Sequence, residues 1–224
     1  MTAAPGRGRF ITFEGGEGAG KSTQIRLLTD YLNACGLKVT ATREPGGTPR
    51  AERLREILLS GKIAPLGPLA EATLFAAARI DHVDRLIAST LAQGGWVLSD
   101  RFADSTRAYQ GARGDVSPGD IALLERAAVG VIRPDLTLIL DLPPETGLAR
   151  AAARRGANEG VDRFEAEVVA FHRALRQAFL DIAARNPDRC CVIDASGSAE
   201  LVAQAIRAVV DARFLHLSGQ IAAQ

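Results

Sequence analysis

The 224-residue chain is poor in the features that mark a special environment. Its three cysteines, Cys35, Cys190 and Cys191, have neither CxxC nor framework spacing. That excludes a disulfide scaffold and fits reduced thiols in a cytoplasm. No stretch approaches the roughly 18 consecutive apolar residues of a membrane span, so no integral membrane role is expected. The residues before Phe10 include basic side chains but no apolar h-region, so no secretory signal is expected. Neither charge dominates, because Lys+Arg 27 against Asp+Glu 26 leaves a formal charge of +1. A general nucleic-acid or membrane-surface binder is thereby disfavoured, while a local basic pocket is not. Lysine itself is scarce: only Lys21, Lys38 and Lys62 occur, and the remaining cations are arginines. Arginine presents a planar fork of donors suited to phosphate. Internal repeats, long linkers and low-complexity tracts are absent.

What is present suits one globular unit over 1–224, with 47% hydrophobic and 24% charged residues. Short apolar or β-branched runs predict strands over 10–13, 38–42, 96–99, 136–140 and 191–193. Between them the pattern predicts helices over 21–35, 50–59, 69–91, 118–129, 144–155, 164–185 and 199–214. In the third, Leu69, Thr73, Ala76, Ile80, Val83, Ile87 and Leu91 step by three or four, and Gly94 follows as a stop. Ser117, Pro118 and Asp120 read as an N-cap, a proline at the first helical position and an acid at the third. Adjacent Cys190 and Cys191 are expected to alternate faces of a strand. Strands alternating with helices predict an α/β fold, a five-stranded parallel sheet covered by helices on both faces. The composition break at 154–160 predicts a small mobile lid over about 150–165. Residues 1–8 and 215–224 are expected to be flexible.

The strongest motif is Gly15-Gly16-Glu17-Gly18-Ala19-Gly20-Lys21-Ser22, a complete GxxxxGK[ST], between a predicted strand and a predicted helix. Such glycines let backbone N–H groups surround phosphate oxygens, and the helix N-terminus adds positive potential. Lys21 is expected at the β/γ oxygens and the Ser22 hydroxyl on Mg²⁺. Binding of a nucleoside triphosphate follows; the identity of the phosphoryl acceptor does not. The absence of an NKxD segment argues against a GTPase switch. Arg43, Arg79 and Arg101 sit near predicted strand ends, where parallel sheets bind ligands, and together suit a second phosphate. Asp100, at a strand end, is the natural acidic partner for the metal. His82, His172 and His216 are expected to be ordinary surface or helix residues.

Several segments then occur in a familiar order: EGGEGAGKST from Glu14, REPGGT from Arg43, FAAAR from Phe75, Asp100-Arg101, STRAYQG from Ser105, PDLTLILD from Pro134 and DRFE from Asp162. Over about residues 9–213 the chain resembles bacterial thymidylate kinases. The resemblance implies transfer of the ATP γ-phosphoryl group to dTMP with Mg²⁺, in a cytoplasmic homodimer. It implies that Arg79 and Arg101 hold the dTMP phosphate, with Arg43 and Pro45 close by. Phe75 would stack on thymine, Thr106 and Gln110 would meet its edge, and Tyr109 would disfavour a ribose hydroxyl. Glu17 would accept from the 3′-hydroxyl, and Thr23 would complete the ATP-binding loop. Arg150 would stack on adenine. One branch of the family carries an arginine at the position of Gly18; its absence here implies a transition-state cation from the lid, Arg154 or Arg155. Asp162 and Glu165 would order that lid or the metal's water shell.

Overall fold

The computed structural model describes residues 8–113, 115–154 and 167–215. Its centre is one parallel sheet of five strands: β1 (Phe10–Glu14), β2 (Val39–Arg43), β3 (Trp96–Asp100), β4 (Leu136–Asp141) and β5 (Cys190–Asp194). The spatial order is β2-β3-β1-β4-β5. This is the expected fold, and the expected strands lie within one or two residues of the observed ones. Every residue of β1 is buried, as a central strand covered on both faces must be. Cys190 is buried and Cys191 half-buried, the anticipated alternation at an edge strand.

Helices α1 (Lys21–Ala34) and α9 (Ala199–Val210) pack together over one face. There Leu28, Leu32, Val202 and Ile206 close a core with Phe13, Leu98 and Leu138. On the other side α2 (Pro49–Leu59), α3 (Pro68–His82) and α6 (Pro118–Val129) lie in succession, α3 packing against both neighbours. Ser117 caps α6 as expected, its hydroxyl accepting from the Asp120 N–H at 3.1 Å.

The expected 69–91 helix is one path in three parts: α3, a π-helical turn at Val83–Ile87, and α4 (Ala88–Ala92). The expected apolar stripe does not hold throughout α3. Leu69 and Ile80 are 51% and 41% exposed, whereas Glu71, Arg79 and His82 face inward. Polar side chains take the buried face of α3 because they meet partners there, and an apolar periodicity has no means of registering that. His82 and His172, expected as surface or helix residues, are 0% and 4% exposed.

A further helix, α5 (Ala103–Arg113), has no counterpart in the sequence expectation. Its residues are mostly small or polar, so it lacks an apolar stripe to announce it. Helix α7 (Pro144–Arg154) and helix α8 (Val169–Arg185) complete the described fold. The part of the expected lid after Arg154, with Arg155, Asp162, Phe164 and Glu165, lies outside the described residues, as do His216 and most of both tails.

Candidate active site

The glycine-rich loop leaves the carboxyl end of β1 and runs into α1. Gly18 has φ +66, and a Cβ there would collide with the Gly147 carbonyl of α7. A Cβ on Gly147 would in turn strike the Glu17 carbonyl, so loop and helix meet backbone to backbone. Lys21 Nζ donates to the carbonyls of Gly15 at 3.1 Å and Gly16 at 2.8 Å. Burial, reinforced by the charge of Arg101, pushes the Lys21 pKa down. A polyphosphate in the loop would relieve that cost.

The loop and the end of β3 share a wall. Ser22 Oγ donates to Asp100 Oδ2 at 2.8 Å, so the two expected metal ligands do meet. Arg101 has φ +70, the one positive value among described non-glycine residues. The Phe13 carbonyl accepts from the Arg101 N–H at 2.9 Å, and Ser99 Oγ donates to the Arg101 carbonyl at 2.8 Å. The guanidinium of Arg101 donates to the Gly15 carbonyl at 3.2 Å, Ser105 Oγ at 3.2 Å and Glu17 Oε1 at 2.5 Å. It also lies over the Tyr109 ring, 5.0 Å from its centroid. Tyr109 donates its hydroxyl to the same Glu17 oxygen at 2.8 Å. Burial alone would raise the Glu17 carboxyl, but Arg101 and Lys21 outweigh it and hold the pKa at about 2. An ionised Glu17 is an acceptor only, as recognition of a hydroxyl requires.

Glu14, at the end of β1, has no role in the sequence expectation. It is fully buried, accepting from the Phe102 N–H at 2.8 Å and from Ser105 Oγ at 2.6 Å. Burial, with Asp104 nearby, pushes its pKa up to about 8. No sequence signal beyond its place at a strand end distinguishes it.

From the loop a cavity of about 320 Å³ extends toward α3 and α5. Glu17, Lys21, Ser22, Thr23, Asp100 and Arg101 line one part of it; Phe75 and Arg79 from α3, and Thr106, Tyr109 and Gln110 from α5, line another. Gln110 is 2% exposed and its Oε1 has no hydrogen-bond partner, a buried acceptor left for a ligand donor. Arg79 is 4% exposed and donates to Glu44 Oε2 at 2.7 Å, the Phe102 carbonyl at 3.1 Å and Thr106 Oγ1 at 3.0 Å. Pro45 and Arg43 also line the cavity. Arg43 is exposed, with Nη2 donating to Glu52 Oε2 at 3.0 Å. Gly18, Ala19 and Gly20 line it too, while Gly15 and Gly16 shape the loop behind Lys21. Sequence motifs as far apart as those of Glu17 and Gln110 thus converge on one cleft.

Residues 13–206 match the family model described as thymidylate kinase. A thymidylate kinase of Nitrobacter hamburgensis is 58% identical over 93% of this chain and 90% of its own length. One from a Bradyrhizobium species is 56% identical over 92% and 91%. The crystal structure of thymidylate kinase from Ehrlichia chaffeensis superposes with a TM-score of 0.73 at 32% identity, covering 92% of this chain and 100% of that one.

The chain belongs to the thymidylate kinase family.

Its activity is the family's: phosphorylation of dTMP to dTDP with ATP as donor. Arg154, the last residue of α7, is exposed and reaches the cavity lining. Arg150, one turn earlier, instead donates to the carbonyls of Ala195 at 3.0 Å and Ser196 at 3.1 Å, in the turn after β5. The thymidylate kinase cleft is therefore lined by Arg154, whereas Arg150 is tied to the turn after β5. Among described residues no helix is long and apolar enough to cross a membrane.

Proposed function

We propose that this cleft performs direct in-line transfer between ATP held by the glycine-rich loop and dTMP held between α3 and α5. The observation carrying this reading is that Arg101 hydrogen-bonds both to that loop and to α5. It stands where the two substrates' phosphates would meet. At neutral pH the dTMP phosphate, with a second pKa near ~6, is mostly a dianion and needs no general base. The protein's tasks are to align the reactants, exclude water and neutralise charge on the transferring group.

Lys21 leaves its loop carbonyls for the β/γ oxygens of ATP. Ser22 and Asp100 fit Mg²⁺, because a hydroxyl and a carboxylate oxygen already adjoin beside the loop. Bound there, the ion would neutralise charge on the β- and γ-phosphates. Arg101 faces the dTMP phosphate, Glu17 accepts from the 3′-hydroxyl, and the Tyr109 ring occupies the space a 2′-hydroxyl would need. Arg150 serves the adenine.

Arg79 reads differently from its expectation at the phosphate. It shares a face of α3 with Phe75, one turn away, and donates to Thr106. Both are base-recognising positions in this scheme. Its remaining Nη1 donors therefore serve the thymine edge beside Thr106 and Gln110, while Arg101 serves the phosphate.

Gly18 supports a lid source for the transition-state cation, because a side chain there would run into Gly147. A homodimer is supported by α3, which leaves Leu69 and Ile80 exposed between Ile57 of α2 and Leu123 of α6. Leu123→Asp should shift the protein toward monomer in sedimentation; an unchanged mass would rule this face out.

An ADP-release assay comparing dTMP, dUMP, dCMP and dGMP tests the acceptor assignment. Turnover should be highest with dTMP, require Mg²⁺, and fall about 10²–10³-fold in Lys21→Ala through lost electrostatic stabilisation. Near-normal kcat in that variant would refute the phosphate-cradle role.

A further inference from the structure

From Arg79 and Glu44 in the cavity wall, a chain of polar groups that phosphoryl transfer itself does not use runs back to β2. Thr42 Oγ1, on β2, lies 2.8 Å from His82 Nε2 on α3. His82 Nδ1 lies 3.0 Å from Glu44 Oε1, and Glu44 Oε2 accepts from Arg79 Nε at 2.7 Å. Arg79 then reaches Thr106 on α5. We propose that Glu44 and His82 are positioning residues that set the guanidinium of Arg79, and through it the binding of dTMP. This rests on the reading of Arg79 as a dTMP-binding residue.

Donor accounting supports the assignment. Burial would raise the Glu44 carboxyl, but Arg79 and then His82 outweigh it and hold its pKa below the usual range. An ionised carboxylate only accepts, so His82 Nδ1 carries a proton toward it. Arg79 spends Nε on Glu44 and Nη2 on Phe102 and Thr106, leaving the two Nη1 hydrogens in a fixed direction. A guanidinium pinned at three points loses little freedom when a ligand arrives.

The neighbouring backbone is shaped around this chain. Gly47 has φ +85, and a Cβ there would collide with both the Thr42 hydroxyl and the His82 ring. A purely structural tie between the 44–48 loop and α3 is already supplied elsewhere, by Thr48 Oγ1 donating to Asp81 Oδ2 at 2.5 Å. The Glu44–His82 pair is therefore not the sole tie holding the loop, and beyond Thr42 its side-chain contact is Arg79.

The test is steady-state kinetics and thermal unfolding on Arg79→Ala, Glu44→Gln, His82→Leu, His82→Asn and the double variant Arg79→Ala/His82→Leu. His82→Leu should raise KM for dTMP about tenfold, less than the ~10²-fold of a 1 Å misplacement, and leave KM for ATP unchanged. His82→Asn, whose amide can replace Nδ1–H toward Glu44, should recover most of that loss at similar stability. In the Arg79→Ala background His82→Leu should add nothing, because its effect runs through the missing side chain. Equal rises in both KM values, no rescue by Asn, or additive effects in the double variant would overturn the proposal. If Arg79→Ala itself leaves dTMP binding intact, the reading of Arg79 fails and the proposal with it. Should Glu44→Gln not fold, the two His82 variants decide the matter alone.

Discussion

Two glutamates three residues apart, Glu14 buried and Glu17 half-buried, show how little residue type says about protonation. Glu17 faces Arg101 and Lys21, and its pKa of about 2 lies below the reference 4.5. It therefore contributes stability above pH 4.5 that is lost as the pH falls toward 2. Glu14, with its pKa pushed up to about 8 from 4.5, has the opposite sign. The folded state keeps a proton that the unfolded chain releases, so stability declines as pH rises from 4.5 to 8 and levels off beyond. Glu14→Gln, neutral in both states, should flatten that decline in denaturant unfolding measured from pH 5 to 9. An undiminished slope would place the titrating group elsewhere.

At the scale of elements, the contact between the glycine-rich loop and α7 is the least forgiving junction. Gly18 combines a left-handed φ with the facing Gly147 carbonyl, so added atoms meet backbone rather than a side chain that can turn aside. Gly18→Ala should destabilise the fold by about 1–3 kcal/mol, the range for a non-glycine residue held in such a conformation. It should also weaken ATP binding more than dTMP binding, because the loop must retreat from α7. Unaltered thermal stability together with normal ATP affinity would show that the loop has room to adjust. Helix α5 carries the other lesson at this scale. Its side chains hold Arg101 through Ser105 and meet Arg79 through Thr106, yet its own sequence bears no amphipathic stripe.

At the scale of the molecule, the cleft has fixed cations at its floor, and α7 brings Arg154 to its rim. Arg154 belongs to the helix that braces the loop, and Arg155 follows it in the chain. Arg154→Ala or Arg155→Ala should lower kcat by roughly a hundredfold or more with little change in KM for dTMP, the mark of a contact made in the transition state. Near-normal kcat in both single variants and the double variant would remove the lid as the source of that cation.

Chain order and local pattern determined a good deal unaided. Strand–helix alternation is a near-neighbour property, so the parallel sheet was legible from residue type and spacing. The glycine-rich loop was legible for the same reason, since the motif, the strand before it and the helix after it are contiguous. The strand-end positions of Asp100 and Arg101 likewise placed them at the ligand face. Tertiary structure alone decided which polar groups would be buried. Glu14, Glu44 and His82 look like unremarkable residues until Ser105, Arg79 and Thr42 arrive from distant segments to satisfy them. Their burial depends on long-range pairing, because an unpartnered polar group there would be costly, and no local periodicity encodes a partner 35 or more residues away.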